Sequence, residues 1–395
     1  MSGSPSPVAR GDRFDRIIVV CTRQLGDVLL TTPLIHATKE RWPEATIDVL
    51  GFGGTLGMLR GNPDIGELIE VPAGSGWWAS RRLIARLWRR YDLALIAQYS
   101  DRAHLYGFAA ARRRAGQVTD DAKAGWKRAL LEHRVPMNDD QSHSVIQKLR
   151  LLQPWFEPRG ASLVAPAPTP LPAQIASALK QRYVVLQAPA AVTYKLWPLA
   201  HWRALVSALL DRGLQVVLTG APSPGDMAVV ESVRSGFDAE RVLDAAGKLD
   251  LNQVTTLLRG AALYVGGDTS ITHLAAACEI PVVALYGPIN PRYFGPWPPS
   301  PTLEVPYVAH ALVQRAGPVS VLQGTPACVP CDRAGCEDRN DSASLCLMTL
   351  APARVIAEVD RLLAERAATM GRCSPIAIST SAAASGRAIR TSGAD

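Results

Sequence analysis

Arg16-Ile17-Ile18-Val19-Val20-Cys21-Thr22-Arg23-Gln24-Leu25-Gly26-Asp27-Val28 opens on an unbroken apolar run of strand length and turns through a glycine-containing loop into a helical pattern. Continuous apolarity, rather than alternation, marks a strand buried on both faces, as in a parallel sheet. The short loop at 22–27 separates this strand from a helix predicted over 28–42. Working outward, strands are predicted at 45–50, 68–71 and 93–97, with helical stretches between them, and a helix over 77–90. Alternating strands and helices are the signature of a doubly wound α/β domain.

A second series begins after a proline-rich stretch. Pro154, Pro158, Pro166, Pro168, Pro170 and Pro172 lie too close together for a helix or a central strand. Strands are predicted at 183–187, 214–218, 261–265 and 281–285. Helices are predicted at 199–212, 226–235, 252–259 and 350–367, the first ended by Gly213. The expected division is a polar leader at 1–15, an N-terminal Rossmann-like domain at 16–165, a linker at 166–180, a C-terminal domain at 181–367 and a disordered tail at 368–395.

Composition bounds the function. Of 395 residues, 48% are hydrophobic and 19% charged, which excludes an intrinsically disordered chain. Forty-two Lys and Arg against 35 Asp and Glu give a net charge of +7, which permits an anionic partner without selecting one. No apolar run approaches the ~20 residues that cross a bilayer. The polar start lacks the apolar stretch of a secretory signal, so a cytoplasmic protein is expected. Seven cysteines, an odd number in a long chain, do not read as a secreted disulfide scaffold.

In open α/β sheets ligands bind at the carboxyl ends of the strands, so the loops there carry the chemistry. In the first such loop Gly26 permits a tight turn, and Asp27 stands at the start of a helix. That placement suits a capping carboxylate and equally a general base for a substrate hydroxyl. In the second, Lys195-Leu196-Trp197-Pro198, the proline suits a first helical turn, and the lysine is either solvated or placed to neutralise phosphate. The third is Val265-Gly266-Gly267-Asp268-Thr269-Ser270-Ile271-Thr272-His273. Small residues and hydroxyls at a helix start form an anion site, and His273 shares a face with Thr269. Plain capping and a core histidine are the alternatives. Neither a P-loop nor a Gly-x-Gly-x-x-Gly opens the first helix.

Two further features stand apart. On a helical wheel Arg81, Arg82, Arg86, Arg89 and Arg90 occupy one half and Leu83, Ile84, Leu87 and Trp88 the other. This is either a solvated face of a packed helix or a surface for an anionic acceptor or membrane. Cys328, Cys331, Cys336 and Cys346 are spaced C-x2-C-x4-C-x9-C, which matches neither a zinc ribbon nor a plant ferredoxin. They are either metal ligands or reduced thiols in a loop near the site.

Together these motifs resemble glycosyltransferase family 9, the bacterial heptosyltransferases of the lipopolysaccharide inner core. The resemblance runs from about Arg16 to about Leu363. It is carried by Gly26-Asp27-Val28 with Thr31-Thr32-Pro33, by Lys195-Leu196-Trp197-Pro198, by the run from Gly267 to Ala277, and by the run from Pro281 to Pro288. It implies the GT-B architecture, two Rossmann-like doubly wound domains facing a cleft, with acceptor on the N-terminal side and nucleotide-sugar on the C-terminal side. It implies inversion at the anomeric carbon with Asp27 as base. Lys195, Thr193, Asp268, Thr269, Ser270 and His273 are implied around the donor. Gly26 and the basic-helix residues Arg81, Arg86 and Arg89 are the expected acceptor contacts.

The partners expected are ADP-heptose, an anionic lipid-linked sugar acceptor and a peripheral contact with the inner membrane. No nucleic acid, cofactor or metal is expected. Ser270 stands where relatives carry glycine, and Asp226 stands in a loop where many relatives have glutamate. These departures leave room for another nucleotide-sugar or a soluble acceptor. A non-catalytic nucleotide- or nucleic-acid-binding protein is the remaining alternative, but the chain lacks the aromatic stacking platform of a single-strand binder.

Overall fold

The computed structural model describes residues 13–72, 77–119, 122–137, 142–299 and 303–372. Two sheets organise them. The first contains β1 (Arg16–Val20), β2 (Thr46–Phe52), β3 (Leu68–Val71), β4 (Tyr91–Ile96), β5 (Ala111–Val118) and β6 (His133–Pro136). Its spatial order is β3-β2-β1-β4-β5-β6 and every pairing is parallel.

The second sheet contains β7 (Tyr183–Gln187), β8 (Gln215–Leu218), β9 (Val242–Asp244), β10 (Leu263–Gly267), β11 (Val282–Tyr286), β12 (Val313–Ala316) and β13 (Val319–Gln323). Its order is β12-β13-β11-β10-β7-β8-β9, parallel except for the edge pair β12 and β13. In both sheets the winding reverses beside the first strand, between β1 and β4 and between β7 and β10. That reversal opens a crevice at the carboxyl ends, where open α/β sheets bind ligands. This is the expected architecture, two doubly wound α/β halves across a cleft.

Helices cover both faces of each sheet, which is why the strands read as continuous apolar runs. Ile17 to Val20 and Val282 to Leu285 are almost fully buried. One apolar cluster includes Val19 and Leu95 of the first sheet together with Val185, Tyr264 and Ala284 of the second, so a shared core joins the two halves.

Several local expectations are corrected. The helix predicted over 28–42 is two helices, Leu25–Leu29 and Thr32–Arg41, because Thr31 and Thr32 turn their hydroxyls back onto the carbonyls of Asp27 and Leu29. The basic helix stops at Leu87 rather than Arg90, and Arg89 is left-handed at φ 53°. Gly213 does end the helix Leu199–Asp211, at φ 70°. Within the proline-rich stretch a short helix forms at Ala173–Ala178. Residues 1–12 of the expected leader and 373–395 of the expected tail lie outside the described residues, and the helix Pro352–Arg372 runs into the stretch from 368 expected to be disordered.

The halves are pinned together by His143. Its Nε2 donates to the Gly295 carbonyl at 2.9 Å, its Nδ1 accepts from the Val145 amide, and its ring lies 4.8 Å from that of Trp297. The Trp297 indole in turn donates to the Ala161 carbonyl. Those bonds need a neutral imidazole, and burial pushes its pKa down to about 3, with the neighbouring His273 and Lys148 adding to the lowering.

Unfolding below the ordinary histidine value therefore takes up a proton that the native ring refuses. The associated stability is full above about pH 6.5 and is lost as pH falls toward 3. Between pH 7 and pH 5 the expected loss from this residue is about 2 kcal/mol. Urea unfolding at the two pH values should show His143→Gln losing less than the parent by that amount. Equal losses in both would contradict the assignment.

Candidate active site

The crevice is a cleft of about 1700 Å³. The loops after β1, β2 and β4 supply one wall, including Arg23, Gly26, Asp27, Gly53, Gly54 and Tyr99. The loops after β7, β8 and β10 supply the other.

Asp27 sits in the first turn of Leu25–Leu29. Its carboxylate pairs with Arg23 Nε at 3.4 Å, and the Arg23 guanidinium stacks over the Tyr99 ring. Below it, the Thr31 hydroxyl donates to the Asp27 carbonyl and lies 3.5 Å from the buried Cys21 thiol. The residue is thus fixed on a short, anchored turn with its acid group facing the cleft.

Gly26 explains its own identity. A Cβ there would lie 3.3 Å from His273 Cδ2 and 3.8 Å from Ser270 Cα. The start of the helix Leu25–Leu29 therefore abuts the start of Ser270–Ala277, so the two halves meet with Asp27 on one side and the 268–273 loop on the other.

On the C-terminal wall, β10 runs into Asp268. A side chain on Gly266 would collide with the Tyr264 hydroxyl, which itself shares a hydrogen bond with Thr272. Thr272 also donates to the Gly267 carbonyl and shares a contact with Thr269. This hydroxyl network shapes the turn that presents Asp268, Thr269 and Ser270.

Lys195 Nζ stands 2.6 Å from Asp268 Oδ2, and its backbone packs on Gly267. The lysine loop is anchored by Trp197, which is buried against Trp202 and donates to the Leu350 carbonyl. Tryptophan in this motif is thus an anchor.

His273 is buried, and its Nδ1 has no hydrogen-bond partner among the described residues. Burial holds its pKa below the usual imidazole value. Asp268 and then Asp27 oppose that shift, while Lys195 and Lys148 reinforce it. The ring is neutral at pH 7 and feels both walls at once.

Thus Gly26, Asp27, Lys195, Asp268, Thr269, Ser270 and His273 all line one cleft. Thr193 does not. It is exposed, and its amide is bonded to the Asn340 carbonyl. Nor do Arg81, Arg86 and Arg89 line it. Arg86 is ion-paired with Glu67, Arg89 donates to the Ala111 carbonyl at 2.7 Å and lies over the Trp88 and Phe108 rings, and Arg81 is also engaged. Arg86 and Arg89 are thus bonded within their own half.

Asp226 lines the cleft, but both its oxygens accept bonds inside its own loop, from the Ala221 amide and the Ser223 hydroxyl. Among the described residues no group of His, Cys, Asp or Glu is arranged to hold a metal ion. Cys328, Cys331 and Cys336 are exposed and Cys346 is buried. Their loop supports the site instead. Ser344 donates to the Tyr194 carbonyl beside Lys195, and Asp332 reaches the cleft lining. The sequence reading missed Arg23, Arg60 and Ser144, which also line the cleft.

A family model described as glycosyltransferase family 9 (heptosyltransferase) matches residues 80–305, more than half of the chain. The chain belongs to glycosyltransferase family 9. The family 9 assignment makes it a glycosyltransferase. Lipopolysaccharide heptosyltransferase 3 of Escherichia coli is 29% identical over 289 residues, which cover 70% of this chain and 83% of that protein. Lipooligosaccharide heptosyltransferase 2 of Haemophilus influenzae is 28% identical over 307 residues, covering 71% and 85%.

Solved structures share the fold. E. coli ADP-heptose LPS heptosyltransferase II superposes with a TM-score of 0.67 at 22% identity, covering 89% of this chain and 99% of that one. The E. coli heptosyltransferase WaaC with ADP gives 0.64 at 19%, covering 88% and 99%.

Proposed function

We propose that this glycosyltransferase moves heptose from ADP-heptose to an anionic lipopolysaccharide core acceptor, with inversion at the anomeric carbon. The observation that carries the reading is the abutment of Gly26 and Asp27 on Ser270 and His273, with Lys195 paired to Asp268 on the same wall. A base and a diphosphate-binding loop stand on opposite sides of one cleft. The names of the relatives support heptose, and two family structures contain ADP and ADP-2-deoxy-2-fluoro heptose.

In this reading Asp27 accepts the proton of the acceptor hydroxyl as its oxygen forms a bond to the anomeric carbon. The bond from that carbon to the diphosphate oxygen breaks, and ADP leaves with the electron pair. Lys195 and the Thr269 and Ser270 turn offset the charge growing on the leaving group. His273, neutral and buried between the two sides, lines the cleft beside the transferring sugar.

The acceptor lies along Arg23, Gly26 and Arg60. Its lipid brings the protein to the cytoplasmic face of the inner membrane as a peripheral enzyme. No helix among the described residues is long and apolar enough to cross a membrane. In the same reading the joint between the domains is the stretch 166–180.

Ser270, which lines the cleft where relatives carry glycine, favours one second reading, a different nucleotide-sugar. Calorimetry separates the two. ADP-heptose is expected to bind at least about tenfold more tightly than UDP- or GDP-sugars. A preference for either of the latter would overturn the heptose assignment.

A further inference from the structure

Behind the acceptor wall lies a cation that the proposed chemistry does not use. Lys148, on the helix Ser144–Leu149, is 3% exposed, and its Nζ donates to Ser144 Oγ at 2.5 Å. No carboxylate pairs with it among the described residues. Burial lowers its proton affinity, while Asp27 and the Cys21 thiol are the groups that favour its charge and Arg23 opposes it. Asp27 is already paired with Arg23. With Lys148 protonated, this side of the cleft holds Arg23, Arg60 and Lys148 against Asp27. A buried charge without a counter-ion costs several kcal/mol unless something supplies the missing charge.

The contact also dictates where the serine proton goes. When Lys148 is protonated its ammonium has only donors, so the Ser144 oxygen accepts and its own O–H points elsewhere; an anion bound in the cleft favours that form. No acceptor for that proton occurs among the described residues. Ser144 lines the cleft, on the same side as Asp27. In that form the wall presents the Ser144 hydroxyl as a donor, with the ammonium behind it.

We propose that Ser144, held and polarised by Lys148, is a subsite for one anionic group of the acceptor, a carboxylate or a phosphate. Ser144 makes the contact, and Lys148 is a positioning residue that acts through it. The inference rests on the acceptor reading of the preceding subsection and adds a subsite to it.

Steady-state kinetics with ADP-heptose and a truncated lipopolysaccharide core acceptor test the idea. Ser144→Ala and Lys148→Met should each raise acceptor KM about tenfold or more, the size of losing a hydrogen bond to a charged group, with the KM for ADP-heptose within about twofold of the parent. The double variant should be no worse than the more damaging single one, because Lys148 acts through Ser144. Phosphatase-treated acceptor and acceptor with its carboxylates amidated form two arms. The treatment that abolishes the difference between parent and variants identifies the anion.

Acceptor KM within about twofold of the parent in Ser144→Ala overturns the proposal, even if Lys148→Met fails to fold. A Ser144→Ala effect that survives both acceptor treatments overturns it too. Absence of transfer by the parent chain would instead defeat the acceptor reading on which it rests.

Discussion

Replacing Asp27 with alanine is expected to reduce turnover at least about a hundredfold, the range that a positioned general base contributes. Affinity for ADP should hold, because no donor-side residue is altered. The expectation follows from placement. The acid sits on a five-residue helical turn anchored by Thr31, faces the cleft and is oriented by Arg23. Asp27→Asn preserves that shape and removes the basic oxygen, so it should be as inactive as the alanine variant. Turnover near normal in either, measured as ADP release against acceptor, would assign the base elsewhere.

Lys195→Met should be the next most damaging change. It removes the ammonium from the diphosphate and also leaves Asp268 without its 2.6 Å counter-ion, facing an anionic ligand. Loss of leaving-group stabilisation and the new repulsion act together, so kcat should fall about a hundredfold or more and ADP affinity should fall with it. Lys195→Arg keeps the charge but not the compact ammonium beside Asp268, and should recover only part of the loss. Calorimetry with ADP and single-turnover kinetics read the two effects separately. Unchanged ADP affinity would show that Lys195 is committed to Asp268 alone.

Much of this was legible in the chain itself. Fully buried strands announce themselves as continuous apolar runs, and β1, β7 and β10 do so. β5 does not, because Arg112, Arg113 and Arg114 interrupt it. Arg112 is exposed, Arg113 pairs with Glu132, and Arg114 donates to the Leu130 and Ala111 carbonyls. The loops bearing Asp27, Lys195 and Asp268 were visible because each follows a strand.

That Gly26 touches His273 was not visible, since nothing local links positions 247 residues apart. The partners of the basic helix were hidden for a related reason. A helical wheel shows a charged face but not Glu67 beside Arg86, nor the left-handed turn that takes Arg89 off the helix. Ser144 and Lys148 carried no motif at all. Their interest arises from burial and from the absence of a counter-ion among the described residues, which only the folded chain reveals.

The central claim is tested most directly by incubating the chain with ADP-heptose and a panel of truncated lipopolysaccharide core acceptors, and analysing the products by mass spectrometry and NMR. The account predicts one heptose added per acceptor, one ADP released for each, and an anomeric configuration opposite to that of the donor. Retained configuration, or transfer from UDP- or GDP-sugars with none from ADP-heptose, would contradict it.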